Sequence, residues 1–241
     1  MIRSRVIAVA SAKGSPGCTF VALGLASRLA GAGLPTLLID ADAEAGSVAT
    51  MLDLAAPRLP LTPGDLAPVS GAAIDAAAVT AGGGLECIDA SGGAFGGDGR
   101  LLADLARADH PVVVADLGHR LDRLQRELLA AADWLLWVVA PDRVGLLRAD
   151  RAIEAGTPAG CSGGIVLNRL GSHCLADSGK VLAERHRLPV LARFGDHPRA
   201  AREATRTFSG PDQGWRFRRP FAELARAVHP DAAEAGGRTW P

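Results

Sequence analysis

The strongest constraint on the fold of this 241-residue chain is a repeated change of hydrophobic period. Short apolar runs at Val6–Ala10, Pro35–Ile39, Leu85–Ile88, Val112–Ala115, Trp134–Ala140, Gly164–Leu167 and Pro189–Phe194 read as strands, several apolar on both faces. Between them lie Ala- and Leu-rich stretches of helical spacing, among them Val21–Ala30, Arg100–Ala108, Arg120–Ala132 and Lys180–Arg187. Strands without a polar face must be covered on both sides. The expected fold is therefore α/β, a doubly wound, mostly parallel sheet in three α/β/α layers, with ligands at the carboxyl ends of the strands.

The expected organisation is one domain over residues 1–229 and a flexible tail over 230–241, where Pro230, Gly236, Gly237 and Pro241 leave no core-forming pattern. Residues 57–83, rich in Pro, Gly, Ala and Thr, and Gly92–Gly99 read as surface connections. No internal repeat is visible. Zero formal net charge excludes a protein that coats nucleic acid by overall basicity, so any DNA contact would be a local patch. No apolar run reaches the length of a membrane span, and Met1-Ile2-Arg3 leads straight into the first strand, which points to a cytoplasmic protein without a signal peptide. Cys18, Cys87, Cys161 and Cys174 have no CxxC spacing and are expected as free thiols.

The first strand runs into Ala12-Lys13-Gly14-Ser15-Pro16-Gly17-Cys18-Thr19, followed by the apolar helix that begins Phe20-Val21-Ala22. A strand, a Gly-bearing loop and a helix N-terminus present backbone N–H groups and a partial positive charge to di- and triphosphates. In the ordinary G-x-x-x-x-G-K-[ST] motif, a Lys reaches the β/γ-phosphates and a hydroxyl binds Mg²⁺. Thr19 supplies that hydroxyl, but Cys18 occupies the Lys position, Ala12 replaces the first Gly, and Pro16 removes an N–H donor. Taken alone, Gly14–Gly17 also fits a tight strand-to-helix turn. A thiolate at Cys18 would repel phosphate, which argues against a redox role there.

Further along, Leu37-Leu38-Ile39-Asp40-Ala41-Asp42 precedes Gly46 and Leu52-Asp53-Leu54. Val112-Val113-Val114-Ala115-Asp116 is an apolar strand ending in the carboxylate that a Walker B site uses to hold water-bound Mg²⁺. Gly164-Ile165-Val166-Leu167-Asn168-Arg169 follows later. Together, and in this order, these segments resemble the deviant P-loop ATPases of the MinD/ParA family, whose K-G-G-x-G-K-T loop carries an extra signature lysine where Lys13 stands. The resemblance implies ATP and Mg²⁺ as cofactors, bound through Lys13, Gly14, Ser15, Pro16, Gly17, Cys18, Thr19 and Phe20. It places Asp40 near Mg²⁺, Asp42 near the attacking water, and Asn168 on the adenine edge. It also implies a homodimer closed around nucleotide, in which Lys13 reaches the facing subunit's phosphates. Thr19, Asp40 and Asp116 would be the metal residues, with Lys13 and Asp42 catalytic.

Within the family, Gly17-Cys18-Thr19 is similar to the loop of CpaE/TadZ proteins of Tad pilus systems, where a small residue often replaces the P-loop Lys. Asp116-Leu117-Gly118-His119-Arg120-Leu121 resembles their D-L-P-R-x-L segment, with Gly118 and His119 departing from it. This implies a positioning or assembly factor with weak or absent ATP hydrolysis and protein partners in a localisation or pilus system. The alternatives are a ParA-like DNA segregation ATPase, disfavoured by neutral charge, a pseudo-ATPase scaffold, and an ATP-using enzyme. A tyrosine kinase with a Tyr tail is excluded, because the chain has no Tyr. His110, His119, His173, His186, His197 and His229 lack ligand spacing and read as surface or core histidines. In Trp215-Arg216-Phe217-Arg218-Arg219 the aromatics are expected to pack and the arginines to stay solvated. Without a long basic amphipathic helix at the end, direct membrane binding is disfavoured.

Overall fold

The computed structural model describes residues 4–14, 16–42, 47–54, 70–91, 98–156, 158, 160–171, 174, 177–200, 202 and 211–233. Eight strands form one sheet in the order β3-β4-β2-β5-β1-β6-β7-β8. They are β1 (Arg5–Ser11), β2 (Thr36–Asp40), β3 (Val79–Gly82), β4 (Leu85–Asp89), β5 (Val112–Asp116), β6 (Trp134–Val139), β7 (Ser162–Leu170) and β8 (Val190–Gly195). Every pairing is parallel except that of β3 with β4. The helices are α1 (Cys18–Gly31), α2 (Val48–Met51), α3 (Gly71–Ala77), α4 (Gly99–Asp109), α5 (Arg123–Ala130), α6 (Arg143–Ala155), α7 (Ser178–His186) and α8 (Arg218–Val228).

The expected three layers follow from the period of two along each strand. In β1, Val6, Ala8 and Ala10 enter one core with α3 to α7, while Ile7 and Val9 enter a second core with α1, α2 and α8. All seven expected strands are present. The eighth, β3, and helix α3 lie inside the 57–83 segment expected to be a surface connection. Ser70 caps α3 by accepting from Ala73 N, and Ile74 and Ala77 are buried against the sheet; the 55–69 part of that segment lies outside the described residues, as does Gly92–Gly97.

Helix α8 carries Phe221, Leu224, Ala225 and Val228 at i, i+3, i+4, i+7, all buried on α1 and β8. Complete burial of each large side chain is worth about 1.5–3 kcal/mol. Close approach needs Gly24 on α1, where a Cβ would stand 2.0 Å from Phe221 Cζ. Packed structure also runs beyond α8 into the stretch expected to fray: Pro230–Ala233 form a 3-10 turn, and His229 and Ala232 are buried. Residues 234–241 lie outside the described residues. Phe217 packs inside as expected, but Trp215 does not: its ring is 76% exposed with the Arg216 guanidinium 4.2 Å from its centre.

Candidate functional site at the carboxyl ends of the strands

The loop after β1 delivers the chain to α1 through Gly17, which has φ +89° and offers no side-chain cap. A Cβ on Gly17 would also lie 2.3 Å from Asn168 Nδ2, so both the backbone and the space select glycine. Val21 N bonds back to Gly17 O, so the N–H groups of Cys18, Thr19 and Phe20 form the open first turn of a 14-residue helix with no acidic residue in it. Such an end attracts anions. Phe20 anchors the turn from below in a cluster with Phe217 (5.0 Å between centroids), Phe221 (5.6 Å) and Phe194 (5.9 Å).

Beside this loop, strand register lines up three carboxylates. Asp40 pairs with Asp116 across β2 and β5, and with Asp89 across β2 and β4. Asp40 accepts from Val48 N (2.9 Å) and Asp42 N (3.4 Å). Burial, and after it the Asp116 charge, still push its pKa up to about 7. Asp116 is fully buried, and desolvation raises its pKa too, opposed by the neighbouring Thr19 hydroxyl, the Cys18 thiol and the Gly118 N–H. Its Oδ1 accepts from Gly118 N at 3.2 Å, whereas its Oδ2 is buried with no donor in bonding geometry. That orphaned oxygen, close to Thr19, is the local signature of a missing cation.

Gly118, at φ +62°, makes room for Asp42: a Cβ there would stand 2.5 Å from the Asp42 carboxyl carbon. The next residue, His119, places its imidazole 3.6 Å from the Cβ position of Gly14. Cys18 is buried and donates to Val9 O at 3.3 Å; burial and then the Asp116 charge hold its pKa well above the usual thiol range. A neutral thiol therefore occupies the place of an ammonium.

On the other flank, Lys13 Nζ lies 2.6 Å from Asp142 Oδ2, and Asp142 Oδ1 caps α6 by accepting from Gly145 N at 2.7 Å. Asn168 donates to Pro16 O (2.7 Å) and accepts from Arg169 N (2.9 Å). Gly17, Phe20, Asn168, Gly195, Pro198 and Phe217 border a pocket of about 130 Å³.

Comparison with known proteins agrees with this geometry. A family model described as ParA, NUBPL iron-transfer P-loop NTPase, matches residues 3–82, which span the loop, α1 and β2. No curated protein matches the chain. Among solved structures, a MinD septum site-determining protein from Pyrococcus horikoshii complexed with Mg-ADP is 18% identical, with TM-score 0.75, covering 93% of this chain and 96% of that one. The chain has the MinD/ParA P-loop NTPase fold. A ParA family ATPase from Chlorobium tepidum is 18% identical at TM-score 0.73, covering 98% of this chain and 100% of its own. The MinC:MinD cell division complex of Aquifex aeolicus gives 16% identity, TM-score 0.75 and 98% coverage of both chains.

Of the expected site residues, Lys13, Gly14, Pro16, Gly17, Cys18, Thr19 and Phe20 lie on or just after the loop, Asp40, Asp42 and Asp116 flank it, and Asn168 closes its other side. Ser15 lies outside the described residues. Sequence reasoning missed Asp89 and His119. Asp89 joins the carboxylate row only through the β2–β4 register, and His119 meets the loop only because β5 ends beside β1. The departure at Gly118-His119 was their one visible signal. Among the described residues no group of three or more His, Cys, Asp or Glu is arranged to hold a metal unaided, as expected where phosphate and water would supply most ligands.

Proposed function

We propose that this chain is an ATP-binding switch that takes nucleotide with Mg²⁺ at the β1–α1 loop and hydrolyses it slowly or not at all. The observation that carries the reading is the buried, donorless Oδ2 of Asp116 beside Thr19, at the open end of α1. The phosphates would lie on the first-turn N–H groups, and the pocket of about 130 Å³ bordered by Asn168 and Phe217 would receive the base. Thr19 would hold Mg²⁺ directly, with Asp40 and Asp116 acting through its waters. When bound, the ion would bridge β- and γ-phosphate oxygens and offset their charge.

The neutral Cys18 removes one cationic phosphate contact, worth about 1.5–3 kcal/mol or roughly 10- to 150-fold in affinity. A site of otherwise micromolar strength stays useful at millimolar ATP. Loss of that charge also removes transition-state stabilisation, which supports a slow or silent ATPase. In this reading the protein is a cytoplasmic homodimer around nucleotide and acts as a CpaE/TadZ-like positioning or assembly factor through protein partners. Among the described residues no helix is long and apolar enough to cross a membrane.

Calorimetry with ATP, with and without Mg²⁺, tests the proposal. Thr19→Ala should weaken Mg-ATP binding more than Mg-free ADP binding. No heat and no thermal shift at several millimolar Mg-ATP would move the chain to the scaffold class, and steep salt-dependent binding to duplex DNA would favour a segregation ATPase.

A further inference from the structure

Five large apolar side chains are exposed among the described residues, and three of them, Val144 (54%), Leu147 (52%) and Val181 (63%), cluster on α6 and α7. Leu147 and Val181 line a groove of about 520 Å³ between the two helices, floored by Leu146 and Leu182. Val144 and Leu147 are three residues apart and extend the apolar stripe along α6. The two banks differ in charge. On α7, Lys180 pairs with Glu184, and Arg185 and His186 share Asp150 of α6. On α6, Arg143, Arg148 and Arg151 are exposed and make no ion pair among the described residues.

We propose that the α6–α7 groove docks an amphipathic helix of a partner protein, its apolar stripe seated on Leu147 and Val181 and an acidic flank lying along Arg143, Arg148 and Arg151. A concave apolar slot between two helices accepts the ridge of a third helix better than a flat lipid surface. The lone carboxylate within it, Asp150, is already held by two cations, so few polar groups remain to orient a small molecule. The α6 arginines then select for acid on the approaching helix.

Selection from a displayed library of helical peptides, with a varied apolar stripe and acidic, neutral or basic flanks, supplies the probe against the full chain. The best binders should carry acidic flanks. Leu147→Asp and Val181→Asp should each weaken them at least about tenfold, and the double variant Arg148→Glu with Arg151→Glu about five- to tenfold. All four positions are exposed, so unchanged circular dichroism and melting would confirm an intact fold. Failure to select any helix, or binders indifferent to Leu147→Asp, would overturn the proposal. So would a dimer in sedimentation that Leu147→Asp dissociates, which would make the occupant a second copy. Flotation with anionic phosphatidylserine vesicles that Leu147→Asp abolishes would make it a membrane. None of these readouts depends on nucleotide, so the ATP reading can fail without this one.

Discussion

The two flanks of the central loop solve opposite problems. On the β5–β2–β4 side, register stacks Asp116, Asp40 and Asp89 in one row, so like charges crowd in a desolvated place and one buried oxygen lacks a donor. On the β6–β7 side, Lys13 is matched by Asp142, and the Asn168 amide is bonded to the loop itself. One flank is electrostatically incomplete and the other is internally satisfied. A cation would complete the first, whereas a ligand entering the second competes with contacts already made.

The largest test of this contrast is pH. The folded-state pKa of Asp40 is about 7 against an ordinary value of 3.8, so the folded form binds a proton that the unfolded chain releases between those values. Its stabilising contribution is present below pH 3.8 and fades as pH rises through 7. The upper limit of the loss is about 4 kcal/mol, and Asp116, also raised, acts in the same direction. Denaturation followed from pH 5 to pH 8 should show the ligand-free protein weakening, Asp40→Asn flattening the slope, and millimolar Mg²⁺ with nucleotide restoring stability at pH 8. A flat profile for the unmodified chain would mean that the carboxylate row is not under strain.

Gly118→Ala sharpens the same flank by a smaller step. At φ +62°, a non-glycine residue costs about 1–3 kcal/mol, and its Cβ would displace the Asp42 carboxyl, now 2.5 Å away. Chemical denaturation should show that loss, and any residual ATP hydrolysis should fall with it. Retained hydrolysis at reduced stability would detach Asp42 from the chemistry. Cys18→Lys acts between the flanks: the new ammonium would face both phosphate and Asp116, so Mg-ATP should bind roughly 10- to 150-fold tighter and turn over faster. Unchanged affinity would indicate that the altered loop, with Pro16, cannot direct a lysine to the phosphates.

The same contrast explains what was legible from residues alone. Strands buried on both faces announce themselves, and all seven such runs are strands. β3 escaped because it is a four-residue antiparallel edge strand, Val-Thr-Ala-Gly, with no fully buried position. α3 escaped because its stability rests on the Ser70 cap and two core contacts rather than on periodicity. At the site, residues carried by the loop and by strand ends could be read from their neighbours in sequence. The Asp89–Asp40 adjacency and the seat of His119 depend on which strands lie side by side, which no local pattern encodes.

The smallest expected effect separates two roles of one residue. Asp142 both caps α6 and holds Lys13, whose hydrogen bond, foremost, and the Gly145 N–H lower its pKa. Depression of a carboxylate pKa adds stability above the ordinary range that is lost as pH falls through the depressed value, so the pair persists throughout neutral and mildly acidic conditions. Partial exposure, 23% for Lys13 and 39% for Asp142, limits the ion pair to about 0–1 kcal/mol. Asp142→Asn keeps an equally good cap, since Asn and Asp rank together at N-caps, and removes only the charge. Melting should therefore move little, while Mg-ATP binding tightens a few fold as Lys13 no longer has to leave a counter-ion to meet phosphate. Asp142→Ala should add the cap loss of about 1 kcal/mol without further change in affinity. If Asp142→Asn instead weakens ATP as much as Lys13→Ala does, Asp142 positions the lysine for nucleotide, and the satisfied flank is a preassembled part of the site rather than a competitor for it.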